Sequence, residues 1–304
     1  MASTSTTKKH RLGRRGRQRL HFYLFLLPAI IGFGILTAYP FFSSLITSFT
    51  DRLLYYPGDA RFNGFKNYIY LLKYFPKFWS SFQNSLIYAV CSVVLTNVIA
   101  LLAATALTKK LKGTKVFRTL FYIPSILPAV ATVIMFAAVF DPSNGLVNAV
   151  LLKLGVPRAD LPTWLANSRT ALMTLIIISL WGFGGKMIIY IAGLNEIPDT
   201  YYEAARLDGA SSTVCFFRIT LPLVTPSILY NLITAIIAGM QVFTEAYVGA
   251  NNVDFYVGSI YNLAYTGTYQ MGLASAMAWL LFVFVALLVF GNMALSRFYV
   301  HYEY

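Results

Sequence analysis

Charge is what this 304-residue chain has least of. Asp, Glu, Lys and Arg make up 12% of it, where a soluble domain carries about a quarter. An ordinary water-soluble globule is excluded. Cysteine is nearly absent: Cys91 and Cys215 fall in a predicted helix and a predicted cytoplasmic loop, which argues against a disulfide, and no metal-ligand spacing occurs. Histidine is confined to His10, His21 and His301 near the termini, and no Ser, His and Asp set suggests a nucleophilic site. A phosphate-binding loop is also missing. The nearest glycine cluster, running from Gly182 to Lys186, lacks the four-residue gap and the Ser or Thr that such a loop requires. If ATP drives this protein, a partner hydrolyses it, and no cofactor is expected in this chain.

What the chain has instead is apolar sequence, 58% of its residues, gathered in blocks. About 20 consecutive apolar residues cross a bilayer as a helix. Six blocks qualify, near 22–48, 85–108, 117–140, 171–194, 228–250 and 274–297. The expectation is an all-α polytopic membrane protein with six transmembrane helices. Lys8, Lys9, Arg11, Arg14, Arg15, Arg17 and Arg19 crowd the segment 1–20, and Lys109, Lys110, Lys112, Lys115 and Arg118 crowd the second loop. The loop 251–271 has no Lys or Arg. Positive residues favour the cytoplasmic side, so both termini and the loop 195–227 are predicted to be cytoplasmic. The net charge of +13 is then a tail held near anionic lipid headgroups rather than a nucleic-acid surface. The division follows: a basic tail over 1–20, with no signal-peptide cleavage pattern, and a six-span domain over 21–304.

Between the spans, the aromatic-rich segment 51–84 predicts an interfacial helix at the outer rim. Pro124 and Pro128 each remove a backbone donor and predict a kink near the start of the third span. The loop 141–170 holds the turn-forming runs DPSNG and VPRADLP. The cytoplasmic loop is different: long, polar and patterned like helices. Asp199 or Thr200 is a candidate N-cap, with Glu203 in the first turn. Gly209 permits a sharp turn, and a second short helix from Ser211 to Ile219 is expected to stop before Pro222. Two such helices make a knob.

Polar groups inside spans are costly and carry suspicion of function. Asn231, Thr234, Ala238, Gln241 and Glu245 recur at spacings of three and four, which predicts one helical face. That face lines either a wet path or an interhelical hydrogen-bonded contact. Lys186 lies about nine residues inside the fourth span, ~13 Å at 1.5 Å per residue. It either snorkels to the cytoplasm or lines a cavity. Asn97 reads more simply as a contact between helices.

The knob carries a pattern: Glu203-Ala204-Ala205, three residues, Gly209, nine residues, then Ile219-x-Leu221-Pro222. Seven fixed positions over twenty residues make it specific. It resembles the coupling loop of membrane permeases from binding-protein-dependent ATP-binding-cassette importers. The approach AGLNEIPDTYYEAARLDGAS, the segment FNGFKNY and the last-span run MGLASAMAWLL are similar to the carbohydrate, maltose-type branch and its first permease. The resemblance covers nearly the whole chain beyond residue 20. It implies a permease, not an enzyme, paired with a second, non-identical permease in the bacterial inner membrane. Two ATPase subunits, carrying the ATP and Mg, would lie below and an extracytoplasmic solute-binding protein above. It implies ATPase coupling through Glu203, Ala204, Ala205, Asp208, Gly209, Leu221 and Pro222. A substrate path would involve Lys186, Asn231, Thr234, Gln241, Phe243 and Glu245. Trp181, Phe183 and Phe243 offer faces for sugar rings, with packing as the plainer reading. A lysine in a path-lining helix points to acidic, uronate-containing oligosaccharides. The rivals are a secondary transporter, a permease of the same kind for a non-sugar solute, and a membrane-embedded enzyme. The last would need clustered catalytic groups that the chain does not show.

Overall fold

Apolar blocks with no water to satisfy their backbone must close every hydrogen bond within a helix, and the chain does this almost throughout. The computed structural model describes residues 14–109, 112–250 and 252–300. Lys8, Lys9, Arg11, Lys110 and His301 lie outside the described residues. Those described form sixteen helices and no strand, with one isolated bridge between Thr50 and Phe62. In order they are α1 (Arg14–Phe33), α2 (Tyr39–Ser48), α3 (Lys66–Lys73), α4 (Lys77–Leu107), α5 (Thr114–Tyr122), α6 (Ala129–Val139), α7 (Leu146–Lys153) and α8 (Ser168–Leu180). Then follow α9 (Gly184–Asn195), α10 (Asp199–Leu207), α11 (Ser212–Cys215), α12 (Leu221–Leu223), α13 (Thr225–Met240), α14 (Thr244–Gly249), α15 (Tyr256–Tyr265) and α16 (Met271–Tyr299).

Three stretches are long and apolar enough to cross a membrane unbroken: Phe22–Ser48, Lys77–Leu107 and Met271–Tyr299. Three helix pairs qualify only together, each bent at a short break: Thr114–Ile126 with Ala129–Val139 by 99°, Ser168–Leu180 with Gly184–Asn195 by 42°, and Ser212–Leu223 with Thr225–Met240 by 63°. Each bent pair taken as one span brings the total to six. The third span departs most from expectation. Pro124 sits within a 3-10 turn, Ile123–Ile126, and Pro128 caps the helix that follows; between them the chain turns nearly at right angles instead of kinking. The α6 arm alone, about 16 Å long, is shorter than a ~30 Å hydrocarbon core. The second span is longer than predicted, because α4 already begins at Lys77.

Helix α4 is the centre post. It packs against α13, α9, α8 and α15, and its small residues let them approach. At Gly239 a side chain on α13 would press on Ala89 of α4. Three clusters divide the interior along its length, one of them joining Tyr88 of α4 to Leu175, Val242 and Phe255. Ala100, Ala104 and Leu107 of α4 pack with Met187, Tyr190 and Ile191 of α9 and with Val224. Phe78 and Ala89 pack with Tyr256, Leu263 and Met277 from α15 and α16. The first span instead runs along the outside, its α2 part against α16, with Phe25 and Leu36 exposed. Gly184 explains the glycine cluster read above. A side chain there would strike the Phe121 carbonyl, so α9 can cross α5 only with glycine.

Candidate functional site

The break between α8 and α9 shares its surroundings with another, between α13 and α14. Between α8 and α9 the chain turns through Trp181, Gly182 and Phe183. After α13 it leaves helical geometry at Gln241 and resumes at Thr244. Irregular backbone at membrane depth is tolerated where it lines a cavity. Here the two breaks face a cavity of about 450 Å³. Its wall takes Ser179 and Lys186 from either side of the first break, and Gln241, Phe243, Thr244 and Glu245 from the second. Tyr88, Ser92 and Thr96 of α4 complete it.

Of the six path residues predicted from sequence, the structure brings together Lys186, Gln241, Phe243 and Glu245. Asn231 and Thr234 are not on this wall. The expected single face over 231–245 is corrected, because α13 ends at Met240 and the register is lost before Glu245. Asn231 is wholly buried and reaches back to α9, its Nδ2 donating to the Lys186 carbonyl at 3.4 Å. The Thr234 hydroxyl bonds its own helix, donating to the Tyr230 carbonyl at 3.0 Å. Asn97 accepts from the Tyr190 hydroxyl at 2.7 Å, both side chains buried, as a contact between α4 and α9 requires. Trp181 packs edge-to-face against Phe136 and Phe183 lies tilted against Phe121, and neither lines the cavity.

Lys186 therefore opens into the cavity. Among the described residues the one ion pair is Lys77 with Asp254 at 2.8 Å. Lys186 and Glu245 thus share a cavity without pairing to each other. An ammonium, a carboxylate, a carboxamide and five hydroxyl-bearing side chains together suit a ligand rich in hydroxyls. The part of this wall that sequence reasoning missed is on α4. Tyr88, Ser92 and Thr96 line it; Ser81 and Ser85 continue the same buried face of α4 beyond the cavity, at spacings of four, three, four and four.

The knob is built by α10 and α11. Pro198 is the N-cap of α10, with no side-chain cap bond, so Asp199 and Thr200 lie inside the first turn rather than capping it. At its end the Gly209 N–H donates to the Arg206 carbonyl at 3.0 Å and Ala210 N–H to the Ala205 carbonyl at 2.9 Å. Those two bonds are a Schellman cap, and Gly209 takes the positive φ, +76°, that it needs. Ser211 caps α11 by accepting from the Val214 N–H at 3.4 Å. The second helix does not stop before Pro222. A π turn over Phe216–Thr220 loosens the ladder, and the helix runs through Pro222 to Leu223.

Glu203, Ala204, Asp208 and Gly209 are exposed, and Ala205, Leu221 and Pro222 are half-buried. Leu207, absent from the sequence-based set, is 90% exposed at the knob's tip. The Tyr202 hydroxyl and Thr220 Oγ1 meet at 3.0 Å and tie α10 to the turn that leads into α13.

Residues 96–303 match the family described as the binding-protein-dependent transport system inner membrane component. The chain belongs to this family. Its members are multi-pass permease subunits, and the knob lies where the family pattern was read. Relatives include the probable ABC transporter permease protein YesP of Bacillus subtilis, 38% identical over 92% of each chain. Another is the arabinooligosaccharides transport system permease protein AraP of the same organism, 34% identical over 83% of this chain and 78% of that one. The fold matches a chain in the structure of a bacterial alginate ABC transporter in complex with alginate pentasaccharide-bound periplasmic protein. The TM-score is 0.81 at 23% identity, over 95% of this chain and 98% of that one.

Proposed function

We propose that this chain is the permease subunit of an ATP-driven importer that moves oligosaccharides across the bacterial cytoplasmic membrane by alternating access. The observation that carries the reading is the exposed knob with its family pattern. Leu207, 90% exposed beside Glu203 and Asp208, offers a docking partner an apolar contact within that pattern. That partner is a cytoplasmic ATPase, present in two copies that hold ATP and Mg, one for this permease and one for a second, non-identical permease. A solute-binding protein delivers cargo from the other side. Both termini and the knob face the cytoplasm.

ATPase closure displaces α10 and α11. The Tyr202–Thr220 bond carries the displacement to the 63° bend at Val224 and into α13, whose far end carries Gln241 on the cavity wall. Coupling requires only that the knob contact the open and closed ATPase differently.

For the cargo, the arabinooligosaccharide transport in one relative's name and the hydroxyl-rich wall support a saccharide. Lys186, unpaired in the cavity, supports an acidic one. Its ammonium would meet a uronate carboxylate, while Glu245 and Gln241 accept and donate to hydroxyls. A charge-assisted hydrogen bond contributes about 1.5–3 kcal/mol. Lys186→Gln is therefore expected to lower uptake of an acidic trisaccharide about tenfold or more and to spare a neutral one. The assay is uptake by the reconstituted complex with trigalacturonate and maltotriose. Equal, unchanged uptake of both would refute the acidic reading. No uptake of any saccharide would favour a non-sugar solute.

A further inference from the structure

We propose that Phe243, Tyr247, Tyr261 and Tyr265 form an aromatic track along which successive sugar rings enter the cavity; this deepens the oligosaccharide reading and rests on it. Phe243 and Tyr247 stand four residues apart at α14, and Tyr261 and Tyr265 four apart on α15, a spacing that puts each pair on one helix face. The two faces meet. Phe243 and Tyr247 stack with centroids 5.1 Å apart and an interplanar angle of 27°. Tyr261 touches both at 5.3 Å, and Tyr265 continues the line at a further 5.3 Å.

The line has direction. Phe243 is on the wall of the 450 Å³ cavity. Tyr247 is on the wall of a second cavity, of about 320 Å³, together with Asp254, Ser259 and Asn262. Tyr265 ends the track on the surface, 51% exposed, and Tyr247 is 43% exposed.

Tyrosines that serve packing in this protein behave differently. Tyr190 and Tyr256 are buried and spend their hydroxyls, on Asn97 and on the Met277 carbonyl. Among the described residues, no protein hydrogen bond engages the hydroxyls of Tyr247, Tyr261 or Tyr265. A ring left open with its hydroxyl free is amphipathic in the way a sugar is, with an apolar C–H face and a polar rim. The loop 251–271 carries no Lys or Arg, so capture here works by stacking and hydroxyl contacts rather than by charge. The other source of exposed tyrosines is an aromatic belt at the membrane surface, which would serve insertion and be indifferent to cargo length.

The test uses the full complex in proteoliposomes, with saturating solute-loaded binding protein and a panel of arabinotriose, maltotriose and trigalacturonate beside their monosaccharides. Tyr261→Leu and Tyr265→Leu keep apolar bulk and remove the ring. Each is expected to lower trisaccharide uptake roughly two- to tenfold, with assembled complex at wild-type yield and monosaccharide uptake little changed. Tyr265→Phe, which keeps the ring, stays nearer wild type. Equal losses for mono- and trisaccharides, a fall in assembled complex, or no change would overturn the track. A wild-type complex that imports nothing in the panel would refute the saccharide reading itself, and the track with it.

Discussion

Replacing Gly209 separates the shape of the knob from its packing. Its φ of +76° lies in the left-handed region, and a Cβ placed there would meet nothing within 4 Å. The cost of a side chain is thus conformational alone, about 1–2 kcal/mol for an ordinary L residue. That cost acts on the Schellman bonds to Arg206 and Ala205, so the ratio of native to opened cap falls by roughly 5- to 30-fold. The spans do not contact the tip, and assembly survives. Gly209→Val, β-branched and least suited to positive φ, should cut transport by about that factor while leaving basal ATP hydrolysis in place. Gly209→Asn, a residue that tolerates this region, should stay within about threefold of wild type. Gly209→Asp tolerates it equally but adds charge beside Asp208. If the tip lies against the ATPase, Asp behaves like Val, uncoupling hydrolysis from transport. The assay is solute imported per ATP hydrolysed in proteoliposomes. If the Val and Asn variants both matched wild type, knob geometry would have no part in coupling.

Two further substitutions probe the bundle. Gly184→Ala drives a methyl into the Phe121 carbonyl, a backbone group that cannot swing aside. We expect about 1–3 kcal/mol of destabilisation, read as a lower thermal midpoint of the purified complex, and an unchanged midpoint would mean α5 and α9 do not cross there. Tyr190→Phe leaves the buried Asn97 Oδ1 without its donor at a cost of about 1–3 kcal/mol. Pairing it with Asn97→Leu should recover part of the loss, and additive losses would contradict the bond.

Much of the architecture was legible because apolar blocks report directly on where the chain can span. The knob was legible for the opposite reason, as a patterned polar stretch where a plain turn would suffice. The break after Met240 was not. No proline marks it, and the three-four spacing of polar residues runs on through Gln241 to Glu245 as though the helix continued. The serine and threonine face of α4 escaped for a related reason. Ser92 and Thr96 satisfy their hydroxyls on their own helix, so short polar side chains sit in an apolar run without breaking it. Their four-residue spacing was the available signal. Leu207 was a different omission: a leucine in a charged loop reads as filler until its exposure is seen.

The most direct test of the account is purification of the tagged chain from its native membrane after mild solubilisation. The account predicts a complex with a second permease and an ATPase, whose hydrolysis rises when solute-loaded binding protein is added and whose contact with this chain is lost on Leu207→Asp. A chain that purifies without an ATPase, yet transports when reconstituted alone, would contradict it.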